Sequence, residues 1–238
     1  MSFSKRALEH LQYASLKKNL NPIESLREFL CREGFSDFMA REMRNPFDPD
    51  FHTALEIYNG PHALRDMYME RRDVLFDIGM KKCRRATVPL RWESLRRHAV
   101  GPGLRIMNDL EDFGMRNGIV MTHRDVDRAP IFVSLAGDIT NDLSDEDILM
   151  VQLLCSHFLT LWLSEYPASE SELYELSPRE IEVLAASSAG VNGEKLQSIL
   201  GITSHTMRTH LRNIRRKLHA RSMPHAVQIG IRFGIVDT

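Results

Sequence analysis

Between Ser204 and Leu218 the chain reads Ser-His-Thr-Met-Arg-Thr-His-Leu-Arg-Asn-Ile-Arg-Arg-Lys-Leu, and four of these residues are arginine. Guanidinium groups are planar forks of donors that suit phosphate oxygens and the acceptor edge of guanine. Met207, Leu211, Ile214 and Leu218 fall at i, i+4, i+7 and i+11, which on a helix is one continuous apolar face. That face must turn inward, so Arg208, Thr209, Arg212, Asn213, Arg215 and Arg216 turn outward. When such a helix enters a DNA groove, its early residues meet base edges and its later cations meet phosphates. Arg208, Thr209 and Arg212 are therefore expected in the groove, and Thr206, Arg215, Arg216 and Lys217 on the sugar-phosphate backbone. A solvated basic helix would have the same composition, so the neighbouring elements decide between the two.

Those neighbours favour a helix-turn-helix. Ser177-Pro178-Arg179-Glu180 is a helix start, with Ser at the N-cap, Pro at the first helical position and Glu placed to reach back to the cap. Ile181, Leu184 and Ala185 give that helix a buried stripe. A second helix is expected over 193–200, ended by Gly201, and Thr203 caps the basic third helix; a fourth is expected over 223–233. A short helix, a glycine-containing turn and a basic helix form the pattern that places its second helix in the major groove. Double-stranded DNA is the expected partner, and an all-α unit the expected fold of this region.

The charge distribution agrees once the 238 residues are divided. From Leu176 onward nine Lys/Arg stand against four acids, a net of +5, which leaves the upstream region at −6 and the whole chain at −1. Such asymmetry fits a basic nucleic-acid module joined to an acidic partner domain. Three scattered cysteines, Cys31, Cys83 and Cys155, form neither a disulfide framework nor a zinc motif and fit a reducing cytoplasm. The first residues lack the long apolar stretch of a signal peptide. The apolar run 148–163 falls short of the ~20 residues of a membrane span and contains Gln152, Ser156 and His157, so it reads as a buried or subunit-contacting helix. No Ser/His/Asp arrangement, phosphate-binding glycine loop, paired carboxylates or metal-spaced histidines stand out, so no enzyme, cofactor or metal is expected.

Upstream, helical patterns cover 3–19, 22–33, 61–71 and 103–117, with a modest strand over 52–58. Two β-like runs, 118–122 and 131–136, flank the charged turn 123–128 and predict a hairpin. Ser144, with Asp147 three positions on, caps a long helix to about Tyr166. Helices around a small antiparallel sheet make an α+β sensor domain over 1–166. The polar, acidic segment 167–175 reads as a linker, and 176–238 as the DNA-binding unit.

The segment Leu176-Ser-Pro-Arg-Glu-Ile-Glu-Val-Leu184, Gly190, Leu200-Gly-Ile-Thr203 and Thr206 through Leu218 resembles the DNA-binding domain of LuxR-type regulators over about sixty residues, with Glu180, Leu184 and Gly190 at three of its marker positions. The departure lies in helix two, where Lys195-Leu196-Gln197 replaces the family's usual Glu-Ile-Ala. More faintly, 58–122 resembles the acyl-homoserine-lactone-binding domain of quorum-sensing members. Tyr68, Asp77 and Trp92 hold that family's spacing, and Phe113-Gly-Met-Arg-Asn-Gly118 resembles the segment before its later strand.

The resemblance implies that Asp77 accepts from a ligand amide N–H, Tyr68 donates to its acyl carbonyl and Trp92 packs on the lactone ring. Two departures stand out: Leu64 occupies the position of the family's lactone-binding Trp, and Ile78 that of a Pro. Leucine donates no hydrogen bond, so one lactone anchor is lost unless His62 or another group replaces it. The expectation is a cytoplasmic homodimeric regulator that binds a two-fold symmetric operator and senses an acyl-homoserine lactone or a related ligand. The alternative is a ligand-independent regulator whose N-terminal domain is a protein-interaction or heterodimerisation module. In that alternative Tyr68 and Trp92 are core aromatics and Asp77 is a helix cap.

Overall fold

The computed structural model describes residues 2–16, 21–44, 54–125, 129–165, 176–191, 193–232 and 235–236. The chain divides into two compact units, Met1–Tyr166 and Pro167–Thr238. The linker expected at 167–175 lies outside the described residues.

In the first unit the elements run α1 (Phe3–Leu16), α2 (Pro22–Arg32), β1 (Asp37–Glu42), β2 (Glu56–Tyr58), α3 (His62–Glu70), α4 (Ile78–Cys83), β3 (Leu90–Arg91), α5 (Trp92–Arg96), α6 (Pro102–Asp112), β4 (Gly118–His123), β5 (Ile131–Ala136) and α7 (Asp145–Glu165). The five strands form one antiparallel sheet in the order β2-β1-β5-β4-β3. The predicted hairpin is β4–β5, with Gly118 opposite Ala136 and His123 opposite Ile131. β1, which the sequence patterning did not disclose, pairs with β5 over its whole length. Helix α6 is shorter than the 103–117 pattern because Gly114, at φ +84°, turns the chain in a left-handed conformation.

Strand alternation divides the unit into layers. Phe38, Ala40, Ile119, Met121, Val133 and Leu135 face α1, α2 and α7 and form one apolar core with Leu26, Phe29, Leu154 and Phe158. Val120, Phe132 and Ala136 face the other way, toward α3–α6, and join Leu64, Met80, Trp92, Leu95 and Met107 in a second cluster. Ser144 caps α7 as expected, with its Oγ accepting from the Asp147 N–H at 3.1 Å. At 21 residues α7 has the length and composition of a membrane span, contrary to the expectation from its apolar run. Burial assigns it to the core instead: Ile148, Val151, Leu154, Cys155, Phe158, Leu159 and Leu163 are all covered.

The second unit holds α8 (Pro178–Ser188), α9 (Gly193–Leu200), α10 (Ser204–Lys217) and α11 (Met223–Arg232). Val183, Leu184, Leu196, Met207, Ile214, Leu218 and Ala226 are its buried centre. The inward stripe of α10 is the one its spacing predicts, with Leu211 only half-buried at the rim.

Candidate ligand cavity and nucleic-acid interface

On the α3–α6 side of the sheet lies a cavity of about 110 Å³, walled mostly by apolar side chains. Leu64, Tyr68, Asp77 and Trp92 all line it, although α3, α4 and α5 supply them separately. Leu64 and Tyr68 share a face of α3 at i and i+4. Asp77 is the N-cap of α4, its Oδ1 accepting from the Met80 N–H at 3.1 Å. Its Oδ2 accepts from the Tyr68 hydroxyl at 2.9 Å. The helix-cap and cavity-wall readings of Asp77 are thus both true of one side chain.

Burial raises the Asp77 carboxyl above its ordinary value, against the pull of hydrogen bonds from the Met80 N–H, Tyr68 and the Gly79 N–H. Burial, reinforced by Asp77, pushes the Tyr68 phenol well above its own. Trp92 begins α5, and its ring lies over Gly118 at the start of β4. A Cβ on Gly118 would stand 2.5 Å from both the Trp92 ring and the Leu135 carbonyl oxygen, so only glycine fits there. His62 is exposed and is not among the residues lining the cavity, so it does not stand in for the donor missing at Leu64.

The sequence reading missed several polar residues in the cavity wall, among them Ser134, Arg41, Glu56 and Arg65. Ser134 lies at the middle of the sheet floor, opposite Met39 on β1 and Val120 on β4. Its signal was available: it is the one polar residue among Ile131-Phe-Val-Ser-Leu-Ala136. Arg41 and Glu56 face each other across β1 and β2 and form an ion pair with side chains 6% and 11% exposed. Arg65 Nε donates to the same carboxylate at 2.5 Å.

In the second unit, Ser177 and Glu180 form a reciprocal capping box at 3.3 and 2.8 Å. Gly201 turns the chain at φ +61° before α10, and the Thr203 side chain accepts from the Thr206 N–H at 3.2 Å. Ser204 donates to Gln197 at 2.7 Å and ties the start of α10 to α9. Lys195, the departure from the family pattern, is exposed. Arg208, Arg212, Arg215 and Arg216 are exposed, Thr206 and Thr209 half-buried. Arg208, Thr209, Arg212 and Arg215 border a shallow open groove along the helix.

Lys217 is placed otherwise than its expected phosphate contact. Its ammonium donates to Glu180 Oε2 at 2.8 Å, because Glu180 is 4% exposed and its charge needs a partner inside the unit. Burial alone would raise the Glu180 carboxyl. The Lys217 ammonium and the Ser177 N–H and hydroxyl outweigh it and hold the carboxyl below its usual value.

Two family models match: the autoinducer binding domain over residues 23–161 and the luxR family of bacterial regulatory proteins over 174–229. The transcriptional activator protein BjaR1 of Bradyrhizobium diazoefficiens is 25% identical over 245 residues, covering 100% of this chain and 98% of that protein. A crystal structure of Escherichia coli SdiA matches with a TM-score of 0.58 at 16% identity, over 98% of this chain and 99% of that one. A structure of SdiA in complex with octanoyl-rac-glycerol also matches at 0.58, with 20% identity over 99% and 97%. At these identities the structural likeness speaks for the fold.

Proposed function

The chain belongs to the luxR family of bacterial regulatory proteins that carry an autoinducer-binding domain, and from that premise we propose that its 1–166 unit senses an acyl-homoserine lactone or a related acyl ligand and governs operator binding by 176–238. One observation carries the ligand reading: a mutually hydrogen-bonded tyrosine and carboxylate in the wall of a largely apolar cavity. An amide offers one N–H and one C=O. Inserted between the two side chains, it exchanges the Tyr68–Asp77 bond for two, with Asp77 accepting and Tyr68 donating. Trp92 closes over the ring, and the apolar walls take the acyl chain. That an SdiA structure holds octanoyl-rac-glycerol supports an acyl ligand in this fold.

On the DNA side, Arg208, Thr209 and Arg212 read base edges, and Thr206, Arg215 and Arg216 contact the backbone. Lys217 is left out of this set because it holds Glu180. The protein works in the cytoplasm as a homodimer, since one recognition helix reads only a few base pairs. The partner face is the outer side of α7, where Leu149 and Leu153 are 48% and 54% exposed at i and i+4. The rival reading, a ligand-independent protein-interaction module, draws on buried Leu64, where the family's lactone donor is absent.

Selection from random duplexes tests the DNA reading: it should return a two-fold symmetric site. Arg212→Ala should weaken binding to that site by about 1–3 kcal/mol and relax the preference at one position of each half. Selection of a single half-site would remove the dimer, and undiminished affinity in Arg212→Ala would remove Arg212 from the groove.

A further inference from the structure

The face of the sheet that floors the cavity is laid out by its register. Asp37, Met39 and Arg41 alternate toward it along β1. Asp37 lies opposite Ala136, which lies opposite Gly118, the residue that seats Trp92. Arg41 lies four residues further along β1, opposite Phe132 and Glu56. Four residues along and two strands across place the Arg41 and Gly118 backbones roughly 16 Å apart. A ring packed on Trp92 and an amide held by Tyr68 and Asp77 therefore leave Arg41 to the acyl side of the amide, within electrostatic reach of Tyr68.

Arg41 is a cationic donor almost fully withdrawn from solvent, in a wall that is mostly apolar but also holds Asp37, Glu56, Arg65, Asp73 and Asp77. Glu56 is shared between Arg41 and Arg65, so the three side chains carry one net positive charge. Burial first, and then the charge of Arg65, pulls the Arg41 guanidinium below its ordinary value. A purely alkyl chain laid against this guanidinium offers it no acceptor. A chain bearing an oxygen substituent supplies one, and a bond to a charged donor is a strong one.

We propose that Arg41 is a specificity-determining residue that donates to an oxygen substituent on the acyl chain, so that the cavity selects oxo- or hydroxy-acyl ligands over saturated ones. This rests on the acyl-homoserine-lactone reading given above. The test measures dissociation constants of the full chain for pairs of lactones of equal length, one unsubstituted and one 3-oxo.

The wild-type protein should prefer the oxo member by about tenfold. Arg41→Met should bring the ratio close to one, whatever change in absolute affinity follows from leaving Glu56 to Arg65 alone. A merely structural arginine would weaken both members equally and leave the ratio standing. Arg41→Lys should keep part of the preference, and it decides the matter if the Met variant does not fold: an unaltered ratio there overturns the proposal. A wild-type preference for saturated chains overturns it as well. Failure of every lactone to bind is a separate outcome, because no ratio can then be formed. It removes the lactone reading and this inference with it.

Discussion

The two units use the same residue type in opposite ways. On α10, Arg208, Arg212, Arg215 and Arg216 stand in solvent over a closed apolar core. Around the cavity, Arg41 is withdrawn from solvent and Arg65 partly so, and both meet Glu56 in the wall. Exposed cations cost little to maintain, are screened by salt and suit a polyanion that approaches from outside. Buried ones must be matched inside, and changing one partner strands the other in a low dielectric. A substitution in the first set should therefore alter binding and spare folding. A substitution in the second should alter both, or alter which ligand fits.

The sharpest break between the units should come from Gly118→Ala. The added methyl meets the Trp92 ring and a backbone carbonyl of β5, so the sheet or the ring must move. The sensor unit should lose about 1–3 kcal/mol together with ligand binding, while the melting of the 176–238 unit stays in place. Calorimetry of the full chain reads both transitions, and a methyl tolerated without loss would show that Trp92 is not seated on Gly118.

Lys217→Ala tests whether the comparison holds inside the basic helix itself. If Lys217 belonged with the exposed arginines, its loss would only reduce the salt dependence of DNA binding. Its pairing with buried Glu180 predicts instead a loss of stability in the C-terminal unit of about 1–3 kcal/mol at neutral pH. The Glu180 carboxyl is held low, so its contribution is present above the ordinary glutamate value and is lost as pH falls through the lowered one. Urea titrations should therefore find the gap between variant and wild type closing in acid. A gap that does not depend on pH would deny the pair its role.

Asp77→Asn should have the smallest effect on folding. Its carboxyl is raised by burial, so it favours the folded state below the ordinary aspartate value and loses that contribution as pH rises through the raised one. At neutral pH the empty sensor unit of the Asn variant should be no less stable than the wild type, with a flatter pH profile. Ligand affinity should nonetheless fall about tenfold, for want of a charged acceptor. A marked loss of stability in the empty variant would make Asp77 chiefly a helix cap.

The C-terminal unit was legible almost element by element because its signals are local, although α8 buries Val183 with Leu184 and leaves the expected Ile181 and Ala185 exposed. A Ser-Pro-x-Glu start, a turn glycine and an apolar stripe at helical spacing all lie within a few residues of what they determine. The sensor unit was legible only where its strands were apolar. β1 reads Asp-Phe-Met-Ala-Arg-Glu, and its charged positions hid a strand that only β2 and β5 make intelligible. Arg41 looked like any surface charge, because its burial depends on a partner in another strand. β3 is two residues long, too short for any period to show. Tyr68, Asp77 and Trp92 were found through a family pattern, and no spacing rule would have brought three separate helices to one cavity.

Calorimetry of the full chain, alone and with a panel of acyl-homoserine lactones, tests the central claim most directly. At about 100 times Kd a ligand adds roughly 2.7 kcal/mol to the unit that binds it. The account predicts that the sensor transition rises with a lactone of fitting chain while the transition of the DNA-binding unit holds still. A sensor unit that melts at one temperature whatever lactone is present would contradict the account and leave the ligand-independent regulator in its place.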